Sequence, residues 1–215
     1  PLLDYQINIL NKSGVKDISI VSGFKNSLYK FHNTKIFINK NWKKTSNLQS
    51  LWEAKNELKD TIISFGDIIY SEKAIQLLNY VNKDEEDIVI LCDKSWLNHT
   101  NYRKHYIGVK CNASKSRNIF SDNDVRVLKL QVNLNKENSD GEFIGMLRLS
   151  EKGSQIFKKY LKILKKSNKL EKMTLDNFIN YLIQNRQKVY ARYIDGGWLD
   201  VDNGDQLKYA NKLIR

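Results

Sequence analysis

Two groups of acids stand where chemistry could gather. Thr61-Ile62-Ile63-Ser64-Phe65-Gly66-Asp67 is an apolar run ending on an acid, and Ile88-Val89-Ile90-Leu91-Cys92 is another, followed by Asp93. In an open parallel sheet, ligands bind in the crevice beyond the carboxyl ends of the strands, which is where Asp67 and Asp93 fall. Gly66 would let a ligand approach the backbone closely. A phosphate-handling site needs a hard divalent cation, and such cations take carboxylate oxygens. Asp67 therefore reads either as a metal ligand or as a solvated strand-end acid, and position alone weighs the two evenly. The second group is Asp195-Gly196-Gly197-Trp198-Leu199-Asp200-Val201-Asp202. Asp200 and Asp202, two apart, would face the same side of a strand, so one of them could share a cation with Asp67. The competing reading is a turn into a helix capped by Asp202 or Asn203, and spacing by itself favours the cap. The three histidines, His32, His99 and His105, have no triad-like or metal-like context, and Cys92 and Cys111 match no metal spacing. No Gly-x-Ser-x-Gly elbow, Walker A loop or Gly-x-Gly-x-x-Gly is present.

The elements that would carry these acids alternate between helix and strand. Residues 2–14 put Leu3, Ile7 and Leu10 on one helical face, and Gly14 ends the run. Strands are predicted at 17–22 and 35–38, then a helix at 46–58 with Ser46 as a candidate cap. The strand into Asp67, a helix at 71–81 and the strand into Asp93 follow. Continuous apolar strands between helices indicate a mostly parallel sheet covered on both faces. The section 104–149 alternates more and reads as antiparallel strands on the sheet's edge, covering the active-site side, with loops at 112–124 and 133–141. Helices at 151–167 and 174–186, a strand at 188–193 and a helix at 203–213 complete the chain. The expected architecture is a Rossmann-like three-layer α/β/α domain over 1–215, with a mostly parallel mixed sheet and a small antiparallel excursion in the second half.

The chain has 215 residues, 41% hydrophobic and 11% aromatic, enough for one full core and too ordered in composition for a disordered chain. Its net charge of +12 invites a nucleic-acid reading. However, the lysines are spread out and often neighbour Asn. The densest run (Lys158, Lys159, Lys162, Lys165, Lys166, Lys169) interleaves with Phe157, Tyr160, Leu161 and Leu164 as an amphipathic helix with a solvated basic face. Nucleic acid is thus not the expected partner, while an anionic phosphate substrate would benefit from the same field. Cys92 is expected buried in its strand, in a reduced, cytoplasmic setting. No run is long enough to span a membrane. The chain opens on Pro1 rather than Met, which suggests that it starts inside a longer sequence.

Taken in order, several segments resemble the nucleotidyltransferase superfamily that includes the sugar-1-phosphate nucleotidyltransferases, and in particular its phosphocholine cytidylyltransferase branch. Pro1 to Gln6 through Gly14-Val15-Lys16-Asp17-Ile18, and Val21-Ser22-Gly23-Phe24-Lys25, resemble the family's first helix and second strand. Thr45-Ser46-Asn47-Leu48-Gln49-Ser50-Leu51 is similar to its Thr-Asn-x-x-x-Ser-Leu helix start, with Ser46 in place of the Asn. Ile62 to Ile68 is similar to its strand ending in Gly-Asp, Gly141-Glu142-Phe143-Ile144-Gly145 to its Gly-Glu-Phe-x-Gly segment, and Asp195 to Leu207 to its closing Trp-x-Glu-x-Asp motif. The family's opening strand, Gly-x-Gly-x-Arg phosphate loop and Pro-Lys pair have no counterpart, and no lysine near Lys129 to Asn133 clearly matches the one expected there.

The resemblance implies a Mg²⁺-dependent transfer of CMP from CTP to a phosphorylated small molecule such as phosphocholine or a phosphonate, releasing pyrophosphate. It implies Asp67 and Asp202 as catalytic, metal-binding acids with Asp200 as a further metal ligand. Asn47, Gly66, Glu142, Gly145 and Trp96 would bind substrate. Trp42, Trp96 and Tyr102 are candidates to stack on a quaternary ammonium headgroup, with ordinary packing as the competing account. A hexose-1-phosphate nucleotidyltransferase and a degenerate, non-catalytic nucleotide-binding domain are the alternatives. A homodimer or a fusion to another domain is left open.

Overall fold

The computed structural model describes residues 2–28, 34–80, 86–98, 106–112 and 125–213. Helix α1, Leu2–Lys12, opens the chain and stops at Gly14, whose φ of +81° suits glycine, with the Val15 N–H closing back on the Leu10 carbonyl. Its deepest residues are Gln6 and Ile9 rather than the expected Leu3, Ile7 and Leu10. The helix rolls because the Gln6 amide is drawn inward to donate to two backbone carbonyls, those of Phe65 and Ile68. Strands β1 (Ile18–Ser22) and β2 (Thr34–Ile38) pair in parallel as a small separate sheet. Helix α2, Asn47–Glu53, is shorter than the predicted 46–58 and continues as a 3₁₀ turn over Lys55–Glu57. Ser46 occupies its N-cap position, but its hydroxyl caps nothing.

The predicted strand into Asp67 divides in two. Strand β3 is Thr61–Ser64, and after the turn through Phe65, Gly66 and Asp67 the chain resumes as β4, Ile68–Tyr70. Helix α3 (Glu72–Asn79), strand β5 (Ile88–Asp93), then β6 (Ile107–Cys111), β7 (Val127–Val132) and β8 (Gly141–Leu149) follow. Helices α4 (Glu151–Lys166) and α5 (Leu175–Gln184), strands β9 (Tyr190–Ile194) and β10 (Trp198–Asp200), and helix α6 (Gly204–Leu213) complete the order.

The main sheet has six strands in the order β7-β6-β8-β5-β9, with β3 also paired to β8. Strands β3, β5 and β6 all run antiparallel to β8, and β9 runs parallel to β5. Four strands therefore point one way, and only β8 and β7 are reversed. The antiparallel excursion is present as expected, but β8 is not at the edge. It is buried along its whole length between β5 on one side and β3 and β6 on the other.

Alternation along β5 divides the core. Ile88, Ile90 and Cys92 join one cluster with Phe157, Leu161, Leu164, Phe178 and Leu182 of α4 and α5. Val89 and Leu91 face the other, with Ile9 of α1 and Ala74, Ile75 and Leu78 of α3. Period-2 strands between helices with one apolar stripe each produce the three layers. The α4 lysines lie outside the buried stripe of Phe157, Tyr160, Leu161 and Leu164, as the sequence predicts.

Strands β1 and β3 line a cleft of about 780 Å³ together with Leu3, Ile7 and Leu10 of α1. This explains why those three residues are only half-buried.

Candidate active site

The short antiparallel pair β4–β10 brings together acids more than 130 positions apart. Trp198 lies opposite Tyr70, Leu199 opposite Ile69 and Asp200 opposite Ile68. One step beyond, the Val201 N–H donates to the Asp67 carbonyl at 2.8 Å. The register thus sets the end of β10 directly against the turn before β4. Asp67, Asp200 and Asp202 each present a carboxylate oxygen, and the three oxygens all lie within 4.8 Å of one another. This is the one group of three or more such side chains among the described residues close enough to hold a metal ion.

Whether Asp202 is a ligand or a helix cap is decided next door. Asn203 takes the cap: its Oδ1 accepts from the Asp205 and Gln206 backbone N–H groups at 3.1 and 3.0 Å. Gln206 returns the interaction, its Oε1 accepting from the N–H groups of Asp202 and Asn203. This reciprocal capping box satisfies the start of α6 without the Asp202 carboxylate, which points to the cluster instead. The pattern Asn203-x-x-Gln206 was legible in the sequence.

Carboxylates this close repel one another. The Asp67 carboxyl titrates above its ordinary value of 3.8, first through desolvation and then through the charge of Asp202, with the Asp67 backbone hydrogen bond acting in the opposite sense. An all-oxygen, multiply anionic donor set is what a hard divalent cation takes, and a cation there would remove both penalties. The residues present fit such an ion.

Two buried polar side chains hold the turns that carry these acids. Gln6, 4% exposed, donates to the carbonyls of Phe65 and Ile68 at 2.9 and 2.5 Å, clasping the turn around Asp67 from behind. Asp93, fully buried at the end of β5, accepts from the Gly196 N–H at 3.2 Å and from the Trp198 indole N–H at 2.9 Å, clasping the turn before β10. The strand-end position of Asp93 is visible in the sequence; the signal for Gln6 is an amide whose neighbours three and four positions away on the helix, Leu2, Leu3, Ile9 and Leu10, are all apolar.

Of the other expected site residues, Asn47 and Gly66 line the cleft of about 780 Å³, while Glu142, Gly145 and Trp96 are not part of its lining. Gly66 is exposed beside Asp67, and a Cβ built on it would meet nothing within 4 Å. Glu142 is buried in β8 opposite Asp93. Gly145, at φ +82°, lies under the Phe65 ring and accepts the Phe65 N–H through its carbonyl. Asn47 uses its Oδ1 to accept the Leu175 N–H at the start of α5. Trp96 is 1% exposed, with its ring 4.7 Å from that of Tyr106. Trp42 is exposed and packs against Phe24. Tyr102, His32, His99 and His105 lie outside the described residues.

No family model matches the chain. In sequence it is similar to a CTP:phosphoglutamine cytidylyltransferase of Campylobacter jejuni, 27% identical over 227 aligned positions that cover 94% of this chain and 83% of that protein. In structure it is similar to the CTP:phosphocholine cytidylyltransferase of Streptococcus pneumoniae, with a TM-score of 0.70 at 16% identity over 100% of this chain and 86% of that one. The inositol-1-phosphate CTP transferase of T. maritima gives 0.72 at 16% identity, over 99% and 81%. The chain has the fold of these nucleotidyltransferases. A crystal structure of a glucose-1-phosphate thymidylyltransferase of Bacillus anthracis shares the nucleotidyltransferase fold as well, with a TM-score of 0.70 at 16% identity over 100% of this chain and 82% of that one. Among the described residues no helix is long and apolar enough to cross a membrane.

Proposed function

We propose that this chain is a nucleotidyltransferase that transfers CMP from CTP to a small phosphorylated acceptor, with Mg²⁺ held by Asp67, Asp200 and Asp202. The observation that carries the reading is the convergence of those three carboxylates at the strand ends. The sequence likeness to a cytidylyltransferase supports the donor, and the acceptor class follows the same relative, whose name records phosphoglutamine.

In the reaction an acceptor phosphate oxygen attacks the α-phosphorus, the new P–O bond forms, and pyrophosphate departs with the electrons of the broken α–β bridge. The cation, when bound, supplies neutralisation of the triphosphate's charge. The chain's own contribution is position. Asp67 and Asp202 face one point, Gly66 leaves the backbone beside it open to a ligand, and Gln6 keeps the Asp67 turn in place. Glu142 remains a candidate for the acceptor side, next to Asp93 in the sheet. Buried free thiols at Cys92 and Cys111 suit a reducing, cytoplasmic setting.

Pyrophosphate release, measured with each of four nucleoside triphosphates against phosphocholine, phosphoglutamine, a phosphonate and glucose 1-phosphate, tests this. CTP is expected to support turnover with one of the first three and to require Mg²⁺. Turnover with glucose 1-phosphate alone would transfer the assignment to the hexose-phosphate enzymes. Release with no pair would leave a nucleotide-binding domain without catalysis.

A further inference from the structure

Asp93 is a buried acid with no role in the reaction described above, and it is unusually well supplied with donors. Its Oδ1 accepts from the Ser95 N–H at 2.8 Å, the Ser95 hydroxyl at 2.8 Å and the Gly196 N–H at 3.2 Å, and its Oδ2 accepts the Trp198 indole N–H at 2.9 Å. A carboxylate at zero exposure is costly unless such donors surround it. Two of the four belong to the segment that leads into β10. That segment is tied on its other side by the Ser71 N–H, which donates to the Gly197 carbonyl at 3.0 Å. Three residues on, Asp200 stands opposite Ile68, and Val201 bonds to Asp67. Gly196 and Gly197 both have positive φ, at 62° and 74°, so the turn has little intrinsic preference to hold it in shape.

We propose that Asp93 is a positioning residue for the carboxylate cluster: by gripping Gly196 and Trp198 it fixes where β10 begins, and therefore where Asp200 and Asp202 meet Asp67. It touches none of the three itself. The proposal rests on the reading of the cluster as a cation site. It makes the end of β5, the most buried strand, the reference against which the site is aligned. It also makes Trp198 a built-in reporter, because the indole N–H that bonds Asp93 sits two residues from Asp200.

The test is Mn²⁺ affinity, measured by electron paramagnetic resonance on the folded chain, with the indole N–H resonances followed by NMR during a Mg²⁺ titration. If the unsubstituted chain binds no Mn²⁺, or binds it equally well as Asp67→Asn, the cation site itself is lost and the functional reading fails. If it binds, Asp93→Asn is expected to weaken Mn²⁺ by about 10-fold, the low end of the range for groups bonded directly to metal ligands, because Asp93 acts through the turn before β10. The Trp198 resonance, assigned by Trp198→Phe, is expected to shift with Mg²⁺ in the parent and not in Asp93→Asn. Leu164→Ala, in the opposite core layer, controls for general loss of stability and is expected to leave affinity unchanged. Should Asp93→Asn fail to fold, Trp198→Phe decides, since it removes one donor and keeps a ring. A folded Asp93→Asn, or in its absence Trp198→Phe, that binds Mn²⁺ within about two-fold of the parent overturns the proposal.

Discussion

At the scale of single residues, the cluster binds function to instability. Asp67 holds its proton more tightly folded than unfolded, since its carboxyl is raised by desolvation and by Asp202. The sign follows: as pH rises from 3.8 through the raised value, the folded chain releases that proton less readily than the unfolded chain, and stability falls. At neutral pH, without a divalent cation, Asp67→Asn is therefore expected to raise Tm. The gain should vanish below about pH 4, where the carboxyl is protonated in both states. The same substitution is expected to cut turnover by at least about 100-fold, because neutralisation by a bound cation supplies several kcal/mol to the transition state. Thermal melts across pH, with and without Mg²⁺, beside pyrophosphate release, check both; a variant less stable than the parent at neutral pH would contradict the argument. Gln6→Leu removes the two donations to the Asp67 turn while keeping the inward face of the helix apolar. It leaves the buried Ile68 carbonyl and the partly buried Phe65 carbonyl less satisfied and is expected to cost about 1–3 kcal/mol in urea unfolding.

At the scale of elements, two junctions decide the site. Gly145 sits where β8 shifts register against β5, between Ile90 and Cys92, and a Cβ there would come within 2.5 Å of the Phe65 ring at a φ of +82°. Gly145→Ala is expected to destabilise by about 1–3 kcal/mol through backbone strain, with more lost if Phe65 cannot move away. Because Phe65 precedes Gly66 and Asp67, Mn²⁺ affinity should drop in the same variant. The capping box at α6 is the second junction. Asn203→Ala is expected to cost about 1 kcal/mol, read as a lowered urea midpoint, and Asn203→Asp to retain most of that stability. The motif 195–207 was recognisable as a string of acids, but its division of labour was not. Asp200 ends a strand, Asp202 faces a partner 135 positions earlier, and Asn203 alone caps, because the strand–strand register and not the spacing assigns those tasks.

At the scale of the whole molecule, a net charge of +12 surrounds an acidic site. Basic residues are spread over the chain, as on the exposed side of α4, so the field attracts anions generally rather than forming a groove for one. The KM for the triphosphate is expected to rise as ionic strength increases from about 0.01 to 0.15 M, where the screening length falls from roughly 30 to 8 Å, while kcat changes little. A flat KM would show that the surface charge plays no part in capture. A steep salt dependence of nucleic-acid binding in a filter assay would revive the nucleic-acid reading instead.

The layers were legible in the chain itself, because apolar period carries them. β5 is six buried residues in a row, α4 and α5 each show one apolar stripe, and those patterns admit few arrangements other than helices packed on both faces of a sheet. Asp67 was legible too, as an acid after Gly66 at a strand's end. What the tertiary structure alone decided was long-range. The pairing of β4 with β10, the burial of β8 inside the sheet, and the grips of Gln6 and Asp93 join positions tens to more than a hundred residues apart. Local sequence encodes preference within an element. Which ends meet is settled by how the packed layers close, and the carboxylate cluster exists only once they have.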